Sequence, residues 1–121
     1  MKNLGAAELE IMQIIWKARE PVASTYILSK LGVHRKWKLS TLMTSLNRLV
    51  KKGYLSMEKE GTANRYQAVI SEKDYKEEVS KSLLENVYEG SFEDLVSSLV
   101  HVRKPKKEEL QEILDMLKKE L

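Results

Sequence analysis

Apolar residues at the start of the chain recur every three to four positions. Over residues 6–18, Leu9, Met12, Ile15 and Trp16 fall at helical spacing, with Glu8, Glu10 and Lys17 elsewhere. That pattern predicts an amphipathic helix with one core face. Arg19-Glu20-Pro21 ends it, because the residue before a proline is pushed away from the helical region. A short second helix follows with Tyr26, Ile27, Leu28 and Leu31 inside, Ser24 placed to cap it and Gly32 to close it. Residues 33–38 form a basic connector containing Trp37. A third helix is predicted over residues 39–52, stopped by Gly53. At about 100° per residue, Leu42, Leu46, Leu49 and Val50 share one third of its circumference. The opposite face gathers Ser40, Thr41, Thr44, Asn47, Arg48 and Lys51.

The period then changes. Leu55, Met57 and Lys59 alternate with Ser56, Glu58 and Glu60, a turn is expected over Gly61-Thr62-Ala63-Asn64, and Tyr66, Ala68 and Ile70 alternate again. Two such runs around a Gly/Asn turn read as a β-hairpin. Three helices followed by a hairpin is the element order of a winged helix-turn-helix. After Ser71 the helical period returns. Tyr75, Val79, Leu83 and Val87 step by four as far as Gly90, and Ser91-Phe92-Glu93-Asp94 resembles a capping box. The helix it opens carries Leu95, Val96, Leu99 and Val100 on one side. Lys104-Pro105 breaks that helix, and a last one carries Leu110, Ile113, Leu114, Leu117 and Leu121. Some fifty residues in amphipathic helices cannot enclose a core of their own. A second copy is the simplest partner. Phe92, Leu95, Val96, Leu99, Leu110, Ile113, Leu114 and Leu117 are therefore the candidate dimerisation residues. The expected fold is mainly α with a small β-hairpin wing: a winged helix-turn-helix domain over residues 1–70 and a helical dimerisation domain over 71–121.

Charge sharpens the picture. The 121 residues carry a net charge of +3, which hides a division. Residues 1–70 hold 12 Lys/Arg against 5 Asp/Glu, and residues 71–121 hold 9 against 13, so the halves stand at +7 and −4. Between residues 21 and 57 there are seven Lys/Arg and no acid. A basic half beside an acidic half points to a polyanion as partner of the first. No apolar run exceeds three residues and the opening residues lack the apolar core of a signal peptide, so a cytoplasmic location is expected and no membrane partner. There is no cysteine, and His34 and His101 lie far apart, so neither a metal site nor a cofactor is expected. No GxSxG, no phosphate loop and no compact Ser/His/Asp grouping argues for an enzyme.

The third helix carries the sharpest signal. A helix entering the major groove needs apolar residues to hold it on its domain, small hydrogen-bonding side chains towards base edges, and cations near phosphates. Ser40, Thr41, Thr44 and Asn47 are the base-contact candidates. Lys38, Arg48, Lys51 and Lys52 are the backbone candidates, joined by Lys59 and Arg65 at the hairpin tip. Trp37 leans towards packing over the junction before the third helix, and Tyr66 towards packing rather than DNA. The partners read from the residues are double-stranded DNA and a second copy of the chain. The alternative is a winged-helix protein-interaction module in a larger complex. Such modules usually lack the clean cationic face present here.

These residues also resemble a known family. The run from Trp37-Lys38-Leu39-Ser40-Thr41-Leu42 through Asn47-Arg48-Leu49-Val50-Lys51-Lys52-Gly53 looks like the recognition helix of the penicillinase repressor and methicillin-resistance regulator family, of which copper-transport repressors are relatives. Leu9-Glu10-Ile11-Met12-Gln13-Ile14-Ile15-Trp16, Gly53-Tyr54-Leu55 and the stretch from Val87-Tyr88-Glu89-Gly90 to Leu95-Val96 match it too. The resemblance implies repression by a homodimer on a short palindromic operator, often of TACA/TGTA type. Ser40, Thr41 and Thr44 would approach bases while Arg48 and Lys51 hold backbone. Three departures stand out. Met43 replaces a commonly basic or polar residue, the Asn-Phe cleavage pair of the lactam-responsive members is missing at Ser98-Leu99, and the C-terminal cysteines of the copper-responsive members are absent.

Overall fold

A computed structural model describes residues 4–32 and 34–121. The first helix, α1 (Ala6–Ala18), buries Ile11, Met12 and Ile15 and leaves its last turn through Arg19 at φ 57. Glu8 lies on this same apolar stripe, three and four residues before Ile11 and Met12, and its side chain is only 17% exposed. The sequence pattern had set it on the polar side.

A two-residue strand, β1 (Val22–Ala23), comes next and is too short to show any alternation. It precedes α2 (Ser24–Lys30), whose cap is Ala23 rather than the expected Ser24. Pairing of Val22 and Ala23 with Tyr66 and Arg65 holds Ala23 extended, which moves the helix boundary one residue back. Gly32, at φ +80, follows the helix end as expected of a glycine past the last turn.

Helix α3 (Leu39–Lys51) buries Leu42, Leu46 and Leu49 completely and ends at Lys52 and Gly53. Strands β2 (Leu55–Glu60) and β3 (Ala63–Ala68) pair antiparallel from Leu55 with Ala68 to Glu60 with Ala63, and β1 joins the far edge of β3. The hairpin is tighter than expected. Ala63 and Asn64 belong to the ladder, leaving Gly61 and Thr62 as the whole turn, with Gly61 at φ +65. Two-residue hairpin loops demand such positive angles because their twist must match that of the strands.

The core of the first half gathers α1, α2, α3 and the sheet around Ile11, Met12, Ile27, Leu31, Leu46 and Tyr66. Helix α4 (Glu72–Ser82) adds Tyr75, whose ring lies 5.6 Å from Trp16 and 6.3 Å from Tyr54 between centroids. Its hydroxyl accepts the Leu4 backbone N–H at 3.2 Å. The Trp16 indole in turn donates to the Ile70 carbonyl at 2.9 Å. Trp37 packs half-buried against this core, with the Arg35 guanidinium 6.0 Å from its ring centroid.

The chain divides into two compact units, one ending at Val79 and the other running from Ser80 to Leu121. In the second, a π-helical turn (Leu83–Val87) leads through Gly90 at φ +85 to α5 (Phe92–Val102). The Ser91 hydroxyl accepts the Asp94 N–H at 3.1 Å, which realises the expected cap. Helix α6 (Lys107–Glu120) follows. The turn between α5 and α6 is gripped by a two-bond pair, with Arg103 Nη1 and Nη2 donating to Glu109 Oε1 and Oε2 at 3.0 and 2.9 Å. Neither α5 nor α6 buries a single residue within the chain.

Since Leu46 is fully enclosed, Leu46→Ala is expected to cost about 2–5 kcal/mol of stability, by lost transfer energy and the cavity left behind. Urea unfolding of the full chain measures it. A loss below about 1 kcal/mol, the scale of an ordinary substitution, would show that the apolar side of α3 is not the anchor of the domain.

Candidate nucleic-acid interface

The burial of three leucines decides the outward surface of α3. Leu42, Leu46 and Leu49 recur at four and three residues, so one stripe turns inward and the rest must face out. Ser40, Thr41, Thr44, Asn47, Arg48 and Lys51 are all exposed, as is Lys38 just before the helix. Ser40, Thr41 and Asn47 make no side-chain hydrogen bond among the described residues, whereas the Thr44 hydroxyl donates to the Ser40 carbonyl at 3.1 Å. Thr44 is thereby left to accept, not donate, while Asn47 can do both. With side chains a helix is about 10–12 Å across, which fits a major groove about 12 Å wide.

The cations near α3 are of two kinds. Lys38, Arg48 and Lys51 have no ion-pair partner among the described residues. Lys52 Nζ, by contrast, donates to Glu8 Oε2 at 2.8 Å, and the other oxygen of Glu8 accepts the Gly5 N–H at 3.2 Å. In the connector before α3, Arg35 Nε donates to Glu10 Oε2 at 2.8 Å, and His34 Nε2 lies 3.4 Å from Glu10 Oε1. The Lys52 hydrogen bond holds the Glu8 carboxyl below its ordinary 4.5, and the Arg35 hydrogen bond does the same for Glu10.

The hairpin sorts its polar residues by face. Lys59 is opposite Asn64 and Met57 opposite Tyr66, so these four share one side of the sheet. On that side the buried Tyr66 hydroxyl meets Met43 Sδ of α3 at 4.0 Å. An Asn64 side-chain hydrogen bond to Tyr66 works against the burial that otherwise pushes the phenol upward. Lys59 therefore projects on the α3 side of the wing. Arg65 lies on the other side and is paired through Nε with Glu60 at 2.5 Å.

The other candidate surface belongs to α5 and α6. Phe92 is 62% exposed and Leu99 57%. Val96, Leu110, Ile113, Leu114 and Leu117 are exposed as well, and Leu95 is half-buried. Val96, Leu99, Leu110 and Ile113 line a groove of about 430 Å³ between the two helices, with Arg103 and Glu109 among its walls. Among the described residues, ten large apolar side chains of these two helices are open to water, Val100, Val102 and Met116 included, and such an apolar surface marks an interaction site. Among the described residues, no group of three or more His, Asp or Glu is placed to hold a metal ion, and no helix is long and apolar enough to cross a membrane.

Comparison with known proteins agrees with this geometry. The family model described as penicillinase repressor matches residues 4–119. The methicillin resistance regulatory protein MecI of Mammaliicoccus sciuri is 31% identical over 97% of this chain and 94% of its own length. The penicillinase repressor of Bacillus licheniformis is 34% identical over 95% of this chain and 89% of its own. Among solved structures, the DNA-binding domain of the repressor BlaI superposes with a TM-score of 0.52 at 37% identity, covering 62% of this chain and 94% of that one. The monomeric form of Bacillus licheniformis BlaI in complex with the blaP half-operator gives a TM-score of 0.51 at 36% identity, over 61% of this chain and 89% of that one.

The lowered carboxyls of Glu8 and Glu10 set an acid limit. A group whose folded value is depressed stabilises the fold above its unfolded value and loses that contribution as pH falls through the folded one. Thermal melts of the full chain should therefore weaken as pH drops below about 4.5. In Glu8→Gln/Glu10→Gln this acid-side decline should be shallower. An unchanged decline in that double variant would mean that other carboxyls govern acid unfolding.

Proposed function

The chain belongs to the penicillinase repressor family of winged-helix transcriptional repressors, and on that premise we propose that it acts as a homodimer reading a palindromic operator with one α3 per half-site. It binds double-stranded DNA and is not an enzyme. The observation that carries the reading is the outward side of α3, where hydroxyls, an amide and unpaired cations stand together with no acid on the helix. In this reading residues 1–70 bind DNA, and Ser40, Thr41, Thr44 and Asn47 meet base edges. Lys38, Arg48, Lys51 and the wing residue Lys59 neutralise phosphates. The solution of BlaI as a monomeric form on a half-operator supports one winged helix per half-site.

Residues 71–121 supply the dimer. The exposed apolar stripes of α5 and α6 need a cover, and a second copy offers a matching one. A two-fold dimer would set the two α3 helices about 34 Å apart, in successive major grooves on one side of the duplex. The site of action is the cytoplasm, where the DNA is.

Selection from a random oligonucleotide pool, followed by anisotropy titration against the selected and a random duplex, tests the reading. Binding to the selected duplex should be tighter and should fall steeply with salt. Arg48→Ala should weaken both duplexes alike and reduce the salt slope by about 0.9, while stability stays within about 0.5 kcal/mol. Unfolding on that substitution would contradict the facing of α3. For the dimer, light scattering should give twice the mass of one chain. Leu99→Glu should give a single-chain mass and lose most of the operator affinity. A wild-type monomer at micromolar concentration would remove α5 and α6 from the dimer role.

A further inference from the structure

The ion pairs around α3 bracket it. Arg35, four residues before the helix, is held by Glu10 at 2.8 Å, and Lys52, directly after its last residue, is held by Glu8 at 2.8 Å. Both acids stand on α1, whose Ile11, Met12 and Ile15 share one core with the leucines of α3, although α3 itself packs chiefly on α2 and β2. We infer that Glu8 and Glu10 are positioning residues for DNA reading, which act through Lys52 and Arg35 to fix the roll and the axial register of α3 on its domain.

Apolar packing alone cannot do this. Burial of Leu42, Leu46 and Leu49 fixes which side of α3 faces its domain, but the hydrophobic effect is non-directional and sets no particular angle by itself. Base reading tolerates errors of about half an ångström and 10–20°. Two directional, charge-assisted hydrogen bonds, one on the connector that leads into α3 and one on the residue that closes it, supply the missing constraint. The two acids are partly shielded, Glu8 being 17% and Glu10 25% exposed, which lessens the screening of their pairs by salt. Glu8 is doubly engaged, since its second oxygen caps Gly5 and its carboxylate cannot swing freely. The same arrangement gives Lys52 and Arg35 a duty inside the protein, so that neither belongs to the cations that meet phosphate.

The inference rests on α3 being the DNA-reading helix, and Lys52→Gln in the full chain separates its failure from failure of that reading. The duplex selected by the wild-type protein and a random duplex of equal length are titrated at two salt concentrations. As a positioning residue, Lys52 should show a selected-to-random affinity ratio at least fivefold lower, with random-duplex affinity and salt slope unchanged. A phosphate-contacting Lys52 would instead lower both affinities equally and make the slope shallower by about 0.9, which overturns the inference. Glu8→Gln keeps an acceptor for Gly5 while freeing Lys52. It should lower the ratio too, although random-duplex affinity holds or rises with one negative charge gone. The reversed pair Glu8→Lys/Lys52→Glu should recover the ratio. If both affinities rise together in Glu8→Gln with the ratio intact, the acid is only a source of repulsion and the inference fails. A wild-type chain that prefers no duplex would sink the repressor reading itself.

Discussion

The insertion of Leu42, Leu46 and Leu49 beneath α3 is the constraint on which the rest depends. These side chains are removed from water completely, and at about 25 cal/mol per Å² their burial is the largest local stabilisation available to that helix. Because they lie at helical spacing, their burial decides which side of the helix the remaining side chains occupy. The hydroxyls, the amide and the cations of α3 face out because the leucines face in. The polar surface is thus a by-product of packing, and the sequence exploits it by keeping acids away from residues 21–57.

Charge is used in two different ways around α3. On the outer side of α3 it is left unpaired, available to a polyanion that releases counterions on binding. Elsewhere, acids of α1 pair with Arg35 in the connector before the helix and with Lys52 at its end. On the wing, Arg65 lies beside Glu60 on the face away from α3.

Most of the helical architecture was legible in periodicity, because a burial stripe and a helical repeat are the same fact seen from two sides. The leucines of α3, the Ser91 cap of α5 and the breaks at Pro21 and Pro105 all follow from local rules. What escaped is non-local. β1 has two residues and exists only because β3 offers an edge to Val22 and Ala23. Ala63 and Asn64 look like turn residues until the ladder claims them. Lys52 reads as a free cation because its partner is 44 residues earlier in the chain. Glu8 carried the one available signal, an acid at a core-stripe position three and four residues before Ile11 and Met12. The exposed side of α3 is likewise a surface whose ligand the residues suggest through chemistry, while the family relationship supplies its identity.

The ring cluster of Trp16, Tyr75 and Tyr54 gives the protein an optical handle. Trp16 is wedged between the Ile70 carbonyl and the first turns of α4, so its emission registers whether Tyr75 is seated. In a background where Trp37 is replaced by phenylalanine, one indole would follow the attachment of α4 alone. A fragment cut at residue 70 would strip the cover from that indole and strand the Leu4 amide, whereas one carried through Val79 would preserve both.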